Sequence, residues 1–471
     1  MLPLAVASPP VHASPASAAV APPQGDWASL EATAKKQGEV PVIVTLNTST
    51  TIKAPDRLDK PGLESQIAAI ARANARLLAL LGPVNALKTM MEFPLVAFHA
   101  TSADLARLQR SPLVVDVTED LERALDVSER TATESKSIEG VAGPQATSNS
   151  GQYTQLTNWW DYYRIGVDKA AAAGYRGTGQ TVAIIDSGVD RTHNWITNVV
   201  NEACFASATV GSSAGYCPNG AWKQLGFNAA RPCLQAGCAH GTHVAHTAAG
   251  TNGVAPAAKI MAIQVFHPGA TGITYWDSDL IWAMKHVYDV RSYYKIAAVN
   301  LSLGYSLKFV GYCDNYYSTT SDIGKLTGWI NLLKSVGIAS VIASGNSGFR
   351  GGVSHPACLS NAVTVGNTTL VGTATDAVFT SSNSGPQIDL LAPGTDICSA
   401  VPGNRYECAW IGTSMAAPHV AGAYAVLRQK RPTATVDQIL LALQRSGVAV
   451  ADGQGITRTR INVYTGLQYL N

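Results

Sequence analysis

Beyond residue 155 the chain alternates short, almost wholly apolar runs with longer amphipathic ones. Strands and helices follow one another at 181–186, 240–250, 259–266, 276–290, 296–303, 323–336, 338–343, 362–366, 388–391, 413–429 and 437–446. A strand that is apolar throughout, as in Thr181-Val182-Ala183-Ile184-Ile185-Asp186, is covered on both faces. The pattern predicts an α/β architecture: a doubly wound, mostly parallel sheet with helices on both faces.

The first part of the chain follows another rhythm. Residues 39–47 read as a strand. Glu64 to Leu81 reads as a helix with Ile67, Ile70, Leu77, Leu78 and Leu81 on one face, stopped by Gly82-Pro83. Phe93 to Ala100 is strand-like, Ser102 is the expected cap of a short helix through Leu108, and Leu113 to Val117 is a further strand. These make a small α+β unit. Over 126–152 Ser, Thr, Glu, Gly and Pro take over and periodicity vanishes, which reads as an exposed linker. The expected divisions are a leader at 1–24, the α+β unit at 25–125, a linker at 126–154 and the main domain at 155–471.

Composition narrows the picture. Hydrophobic residues make up 46% of the 471 and charged residues 14%, enough apolar surface for sizeable cores. A formal charge of +2 gives no reason to invoke nucleic acid or an anionic membrane. No apolar run has the length of a bilayer-spanning helix. All eight cysteines fall between Cys204 and Cys408. An even number in one region suggests disulfides and an oxidising compartment, with buried free thiols as the alternative. Eight cysteines allow on the order of 100 connectivities. The local one is expected: Cys204–Cys217, Cys233–Cys238, Cys313–Cys358 and Cys398–Cys408. Residues 1–24 are small, apolar and Pro-rich, and Ala16-Ser17-Ala18-Ala19 looks like a signal-peptidase site. The expected location is extracellular.

The candidate chemistry sits at element boundaries. Asp186 ends an apolar strand, where open α/β sheets place their sites. Alone, Asp-Ser-Gly is an ordinary turn. His240 precedes Gly241 and Thr242 at a helix start, where a packed core histidine is the plain alternative. Ser414 lies in Gly412-Thr413-Ser414-Met415-Ala416-Ala417-Pro418-His419, where capping is the common role of a serine. A helix start also offers backbone N–H groups to an oxyanion. Pro418 is expected in the first turn, where its missing donor costs little. Asn346, in Ser344-Gly345-Asn346-Ser347-Gly348 after an apolar strand, could donate a further hydrogen bond. Serine becomes a nucleophile when a base takes its proton and an acid orients that base.

Together, Asp186-Ser187-Gly188, His240-Gly241-Thr242-His243-Val244-Ala245 and Gly412 to Gly422 resemble the subtilisin-like serine proteases over roughly residues 155–467. The resemblance implies that Asp186 orients, His240 is the general base, Ser414 attacks, and Asn346 with the Ser414 N–H forms the oxyanion hole. It makes Asn300 to Gly304, with Leu301, Ser302, Leu303 and Gly304, one wall of the primary pocket, Ser344 and Gly345 the other, and Ser354 the floor. Gly269, Thr271 and Gly272 would belong to an edge strand that pairs with substrate backbone. The pocket segments hold no carboxylate, so broad specificity with an apolar or aromatic preference is expected. Residues 39–120 resemble, more loosely, the family's inhibitory propeptide, which is expected to leave its C-terminal tail in the active site until a cut between Leu121 and Asn158. Polypeptide substrates and the chain's own propeptide are then the partners, with no nucleic acid or membrane, and the chain is expected as a monomer. The chemistry implied requires no cofactor and no metal; a structural calcium has no assigned place.

Three features depart from the family pattern. His246 stands where glycine is usual and needs room or a polar partner. Trp195 replaces a carboxylate expected of tight calcium binders. Residues 200–238 look like a disulfide-pinned insertion beside the cleft. Gly211-Ser212-Ser213-Ala214-Gly215 matches a hydrolase elbow but lacks its strand–turn–helix setting. Cys233, Cys238, His240 and His243 have zinc-like spacing, which would take His240 away from catalysis. Outside the peptidase class, a binding protein that kept this fold is the rival reading, and a transpeptidase or macrocyclase would use the same triad.

Overall fold

A computed structural model describes residues 23–48, 50–125, 160–208, 214–270, 272–315, 326–371 and 375–470. The expected leader, the linker and the Gly211 decoy lie wholly or mostly outside them. Among the described residues the centre is an 11-stranded sheet. Its order is Val448–Ala451, Thr457–Arg460, Leu390–Pro393, Val363–Val371, Ala339–Ala343, Ile296–Leu301, Thr181–Asp186, Lys259–Gln264, Val199–Phe205 and Lys223–Leu225, with Thr375–Val378 paired to Val363–Val371. From Thr457–Arg460 to Val199–Phe205 neighbours run parallel; Val448–Ala451, Lys223–Leu225 and Thr375–Val378 are antiparallel additions.

The period of two explains the unbroken apolar strands. Val182 and Ile184 join the core under helices His240–Ala249 and Thr413–Lys430. Ala183 and Ile185 point the other way, into the core under helices Asp277–Tyr294 and Leu326–Ser335. Each residue of that strand therefore buries its side chain on one layer or the other. From Thr181–Asp186 the chain first builds the sheet on one side, through Val199–Phe205 and Lys259–Gln264. It then crosses to the other side with Ile296–Leu301. Asp186 thus sits at the carboxyl end of the strand where direction switches, the place such sheets leave a crevice.

Residues 23–125 form a separate antiparallel sheet in the order Asn85–Thr89, Leu95–Ala100, Val40–Leu46 and Val114–Glu119, with helices Trp27–Gln37, Lys60–Leu81 and Ser102–Leu108. Val42, Val44, Val96 and Phe98 face its own helices. Ile43, Leu95 and Ala97 face outward and continue the core of helices Asp277–Tyr294 and Leu326–Ser335. Phe93 stands edge-on to Trp329 with ring centroids 4.9 Å apart. Lys88, buried in this contact, meets Asp279 at 2.9 Å, and the Asp120 carboxylate accepts from the Ser278 N–H at 2.8 Å. Burial pushes the Asp120 carboxyl up to about 6.

Several boundaries differ from the sequence expectation for local reasons. The long helix starts at Lys60 because Asp59 accepts from the Gly62 N–H. The short helix is capped by Thr101, not Ser102: Thr101 and Asp104 form a reciprocal capping box. Helix Trp27–Gln37 carries too weak an apolar stripe to announce itself. Val199–Phe205, expected within the insertion, is a strand of the central sheet beside Lys259–Gln264. The disulfides are Cys204–Cys217, Cys233–Cys238, Cys313–Cys358 and Cys398–Cys408. Among the described residues no helix is long and apolar enough to cross a membrane.

Candidate active site

Asp186, His240, Asn346 and Ser414 come from four separate elements; Asp186 and His240 are hydrogen-bonded to each other, and Asn346 and Ser414 line one pocket. Asp186 is wholly buried, and its carboxylate receives the His240 Nδ1 at 2.8 Å through Oδ1 and 3.1 Å through Oδ2. The Ser187 N–H also donates to Asp186 Oδ1, at 2.7 Å. Ser187 Oγ in turn accepts from the Gly241 N–H at 2.9 Å and donates to the Cys238 carbonyl. The helix start is thereby tied to the strand end. Glycine at 241 is dictated by proximity, since a Cβ there would come within 2.3 Å of the Gly188 carbonyl.

Ser414 is the second residue of helix Thr413–Lys430, and Gly412 occupies the cap position. Capping is therefore not its role. Its hydroxyl donates to the Ser302 carbonyl over a long 3.4 Å. Pro418 lies in the second turn, not the first. It cannot supply the N–H that a helix would direct to the Ser414 carbonyl. Ser302 Oγ donates there instead, at 2.8 Å, and itself accepts from Asn300 Nδ2 at 2.9 Å. The Ser302 hydroxyl replaces the missing helical bond of the serine.

Asn346 Oδ1 accepts from the Thr413 N–H at 2.8 Å and from Thr413 Oγ1 at 2.9 Å. This fixes the amide plane and turns its Nδ2 end away from Thr413. Asn346 and Ser414 line one pocket with Leu303, Gly304, Tyr305, Ala343, Gly345, Ser354, Thr413 and Leu125. Leu125 comes from the end of the N-terminal unit and is buried there, leaving only about 10 Å³ open. Leu303, Gly304, Gly345 and Ser354 thus lie where the sequence puts them. Leu301, Ser302 and Ser344 are buried behind the walls rather than lining them. Gly345 has φ of +100°, and a Cβ there would approach Asn383 Nδ2 at 2.4 Å and Ser354 Oγ at 2.5 Å.

Asn383 has no sequence signal, lying in the loop-like Ser381-Ser382-Asn383-Ser384. Its Nδ2 donates to the Ser344 carbonyl at 3.0 Å and to Ser354 Oγ at 2.9 Å, joining wall to floor. Leu125 could have been noticed as the last apolar residue before periodicity ends.

The segment before Leu125 is a strand. Glu122–Ala124 pairs antiparallel with Gly272–Trp276, matching Thr274 to Ala124, Tyr275 to Arg123 and Trp276 to Glu122. The Leu125 N–H continues the ladder to the Ile273 carbonyl at 3.0 Å, and the Asp277 N–H donates to Leu121. The pairing strand is therefore Gly272–Trp276. Gly269 belongs to His267–Gly269 on its other edge, so it does not face the tail, and Thr271 lies outside the described residues.

Two of the odd residues in the sequence turn out to be partners. His246 stacks on Trp195 with centroids 5.4 Å apart at 28°, and Tyr406 meets both rings edge-on. The His246 Nδ1 pairs with Ser399 Oγ at 2.7 Å. Burial lowers the His246 imidazole to about 3, with His193 adding to the effect. His243 stacks on Trp410 at 4.4 Å, and burial holds it well below the usual histidine range. Cys233 and Cys238 are joined to each other and offer no thiolate to a metal. Among the described residues no three His, Cys, Asp or Glu side chains are grouped to hold one.

Comparison with known proteins gives concordant results. The subtilase family matches residues 177–458. Subtilisin E of Bacillus subtilis (strain 168) is 30% identical over 358 residues, covering 73% of this chain and 80% of that protein. Subtilisin of Bacillus pumilus is 32% identical over 319 residues, covering 65% and 98%. Among solved structures, fervidolysin from Fervidobacterium pennivorans, described as a keratinolytic enzyme related to subtilisin, aligns with TM-score 0.61 and 22% identity. That alignment spans 91% of this chain and 61% of the fervidolysin chain. A protease of Pseudoalteromonas arctica aligns with TM-score 0.52 and 23% identity, over 66% and 97%. At these identities the two structures bear on the fold.

Proposed function

The chain belongs to the subtilase family and is a subtilisin-like serine endopeptidase; from that premise we propose that it is made as a secreted zymogen that cuts itself after Leu125. Ser414 Oγ attacks the scissile carbonyl while His240 Nε2 takes its proton. Asp186 holds the Nδ1 proton and stabilises the imidazolium. Asn346 Nδ2 and the Ser414 N–H receive the oxyanion. His240 returns the proton to the leaving amine, and water then releases the acyl group. No step calls for a cofactor.

The observation that carries this reading is the position of Leu125. The chain's own tail lies paired along Gly272–Trp276 and ends with Leu125 in the pocket that Ser414 and Asn346 line. A tail so placed blocks the cleft, and the bond that follows Leu125 is the one proposed to be cut. The small, uncharged pocket walls favour an apolar residue before the cut, and backbone pairing adds affinity with little demand on sequence. Four disulfides fit an oxidising exterior.

Intact mass and N-terminal sequencing of the secreted protein, beside a Ser414→Ala variant, test this. The expected mature chain begins at Asp126 and carries a fluorophosphonate on Ser414, whereas Ser414→Ala stays full-length and unlabelled. An N-terminus before residue 100, or normal maturation of isolated Ser414→Ala, overturns the self-processing. Products with newly formed peptide bonds would reassign the triad to peptide ligation.

A further inference from the structure

The antiparallel ladder fixes which part of the enzyme each tail residue meets. With Leu125 in the primary pocket, the residue two positions earlier is Arg123, opposite Tyr275. Its guanidinium makes two hydrogen bonds to one carboxylate: Nε to Asp277 Oδ1 at 3.2 Å and Nη2 to Asp277 Oδ2 at 3.0 Å. Its planar face rests on the Tyr305 ring, 3.8 Å from the centroid. The side chains of Arg123 and Asp277 are 10% and 16% exposed, so water competes weakly. Asp277 and Tyr305 both belong to the peptidase domain, and Tyr305 also lines the primary pocket.

We propose that Asp277 and Tyr305 form a cation-selective subsite, so that the enzyme prefers polypeptides with arginine two residues before the apolar residue at the cut. This rests on the peptidase reading above and adds a charged requirement to a cleft whose primary pocket has none. The register makes the subsite general: any peptide paired to Gly272–Trp276 as the tail is paired puts its third residue from the cut on the same carboxylate. Arginine should exceed lysine, because a planar fork can bond both carboxylate oxygens and stack at once, whereas an ammonium acts as a point charge. Other ionisable groups face the site. His355 lies 5.3 Å from the Tyr305 ring, and Asp120, on the tail side, adds negative charge near Asp277. Asp120 leaves with the propeptide, so Asp277 is the carboxylate that substrate meets.

The experiment uses enzyme matured from the full chain, with active sites counted by fluorophosphonate titration. It measures kcat/KM on Xaa-Ala-Leu peptides in which Xaa is Arg, Lys, Gln or Glu. Arg is expected to exceed Gln by about 10-fold, with Lys between them and Glu below Gln. In Asp277→Asn the Arg-to-Gln ratio should fall to within about twofold. In Tyr305→Leu it should fall about threefold while the charge order remains. Ratios within each variant cancel general losses of activity. A wild-type ratio near one overturns the proposal even if both variants fail to fold. If Ser414 takes no label and no peptide is cut, the peptidase reading fails instead.

Discussion

Substituting His246 by phenylalanine tests what burial of that imidazole does to stability. Phenylalanine keeps a flat ring on Trp195 and removes the titration. In the unfolded chain a histidine titrates near 6.5, whereas in the fold His246 is lowered to about 3. Above pH 6.5 the ring is neutral in both states and contributes no pH dependence. Below 6.5 the unfolded chain binds a proton that the folded one refuses, so stability falls with pH until the folded group titrates near 3. Each pH unit in that window corresponds to about 1.4 kcal/mol. Between pH 7 and 4.5 the loss due to this one residue is therefore about 2.5 kcal/mol. His286 and His355, also lowered by burial, add their own losses equally in wild type and variant; His243, lowered by burial first and by His240 and His246 after it, loses only the His246 contribution in the variant. Urea unfolding of the full chain in a Ser414→Ala background, followed by tryptophan fluorescence, reads the difference. The wild type should lose about 2–3 kcal/mol more than His246→Phe over this range. Parallel pH profiles would refute the reasoning, because they would mean that the folded protein accepts the proton without penalty.

Asn346→Ala should lower kcat by about 10²–10³ with little change in KM, a figure borrowed from subtilisin itself rather than worked from this structure; steady-state kinetics on one apolar peptide would show it, and an unchanged kcat would remove Asn346 from the oxyanion site. Replacing the Cys313–Cys358 pair by alanines opens a loop 45 residues long and should cost about 4 kcal/mol, against about 2 kcal/mol for Cys233–Cys238, which spans 5; denaturant unfolding of the two Ser414→Ala variants checks the order, and a larger loss at the short loop contradicts it. Lys88→Met leaves the buried Asp279 carboxylate without that cation, which should weaken docking of the N-terminal unit by about 3–5 kcal/mol. Amide exchange over helix Asp277–Tyr294 in the full Ser414→Ala chain should then accelerate, and unchanged protection would count against the ion pair.

Much of the site was legible because its chemistry is encoded in short contiguous stretches. Asp186 follows an unmistakable strand, and His240 and Ser414 open helices whose small residues announce close packing. The local disulfides were legible for the same reason, since chain proximity limits their partners. What escaped is non-local. Asn383 tethers pocket wall to floor from a loop whose composition says only turn, and no period marks Glu122–Ala124 as a strand because its partner lies about 150 residues away. The strand that pairs with the tail, Gly272–Trp276, begins where the Gly269 to Gly272 stretch ends, and the two share no sharp boundary in composition. His246 and Trp195 looked like two unrelated oddities because residues 51 positions apart carry no mark of being stacked.

The proline four residues after Ser414 reaches further than one helix. Because Pro418 cannot donate to the Ser414 carbonyl, the Ser302 hydroxyl does so. Positions 302 and 418 are therefore coupled through one carbonyl. Losing the hydroxyl alone strands a buried carbonyl, while replacing the proline restores the helical donor and makes the hydroxyl dispensable. Related chains that lack the hydroxyl should therefore lack the proline too. Co-variation of a small hydroxyl residue with that proline would then be a signature of the nucleophile helix that does not depend on the nucleophile, and could recognise this architecture even in relatives that have lost the reactive serine.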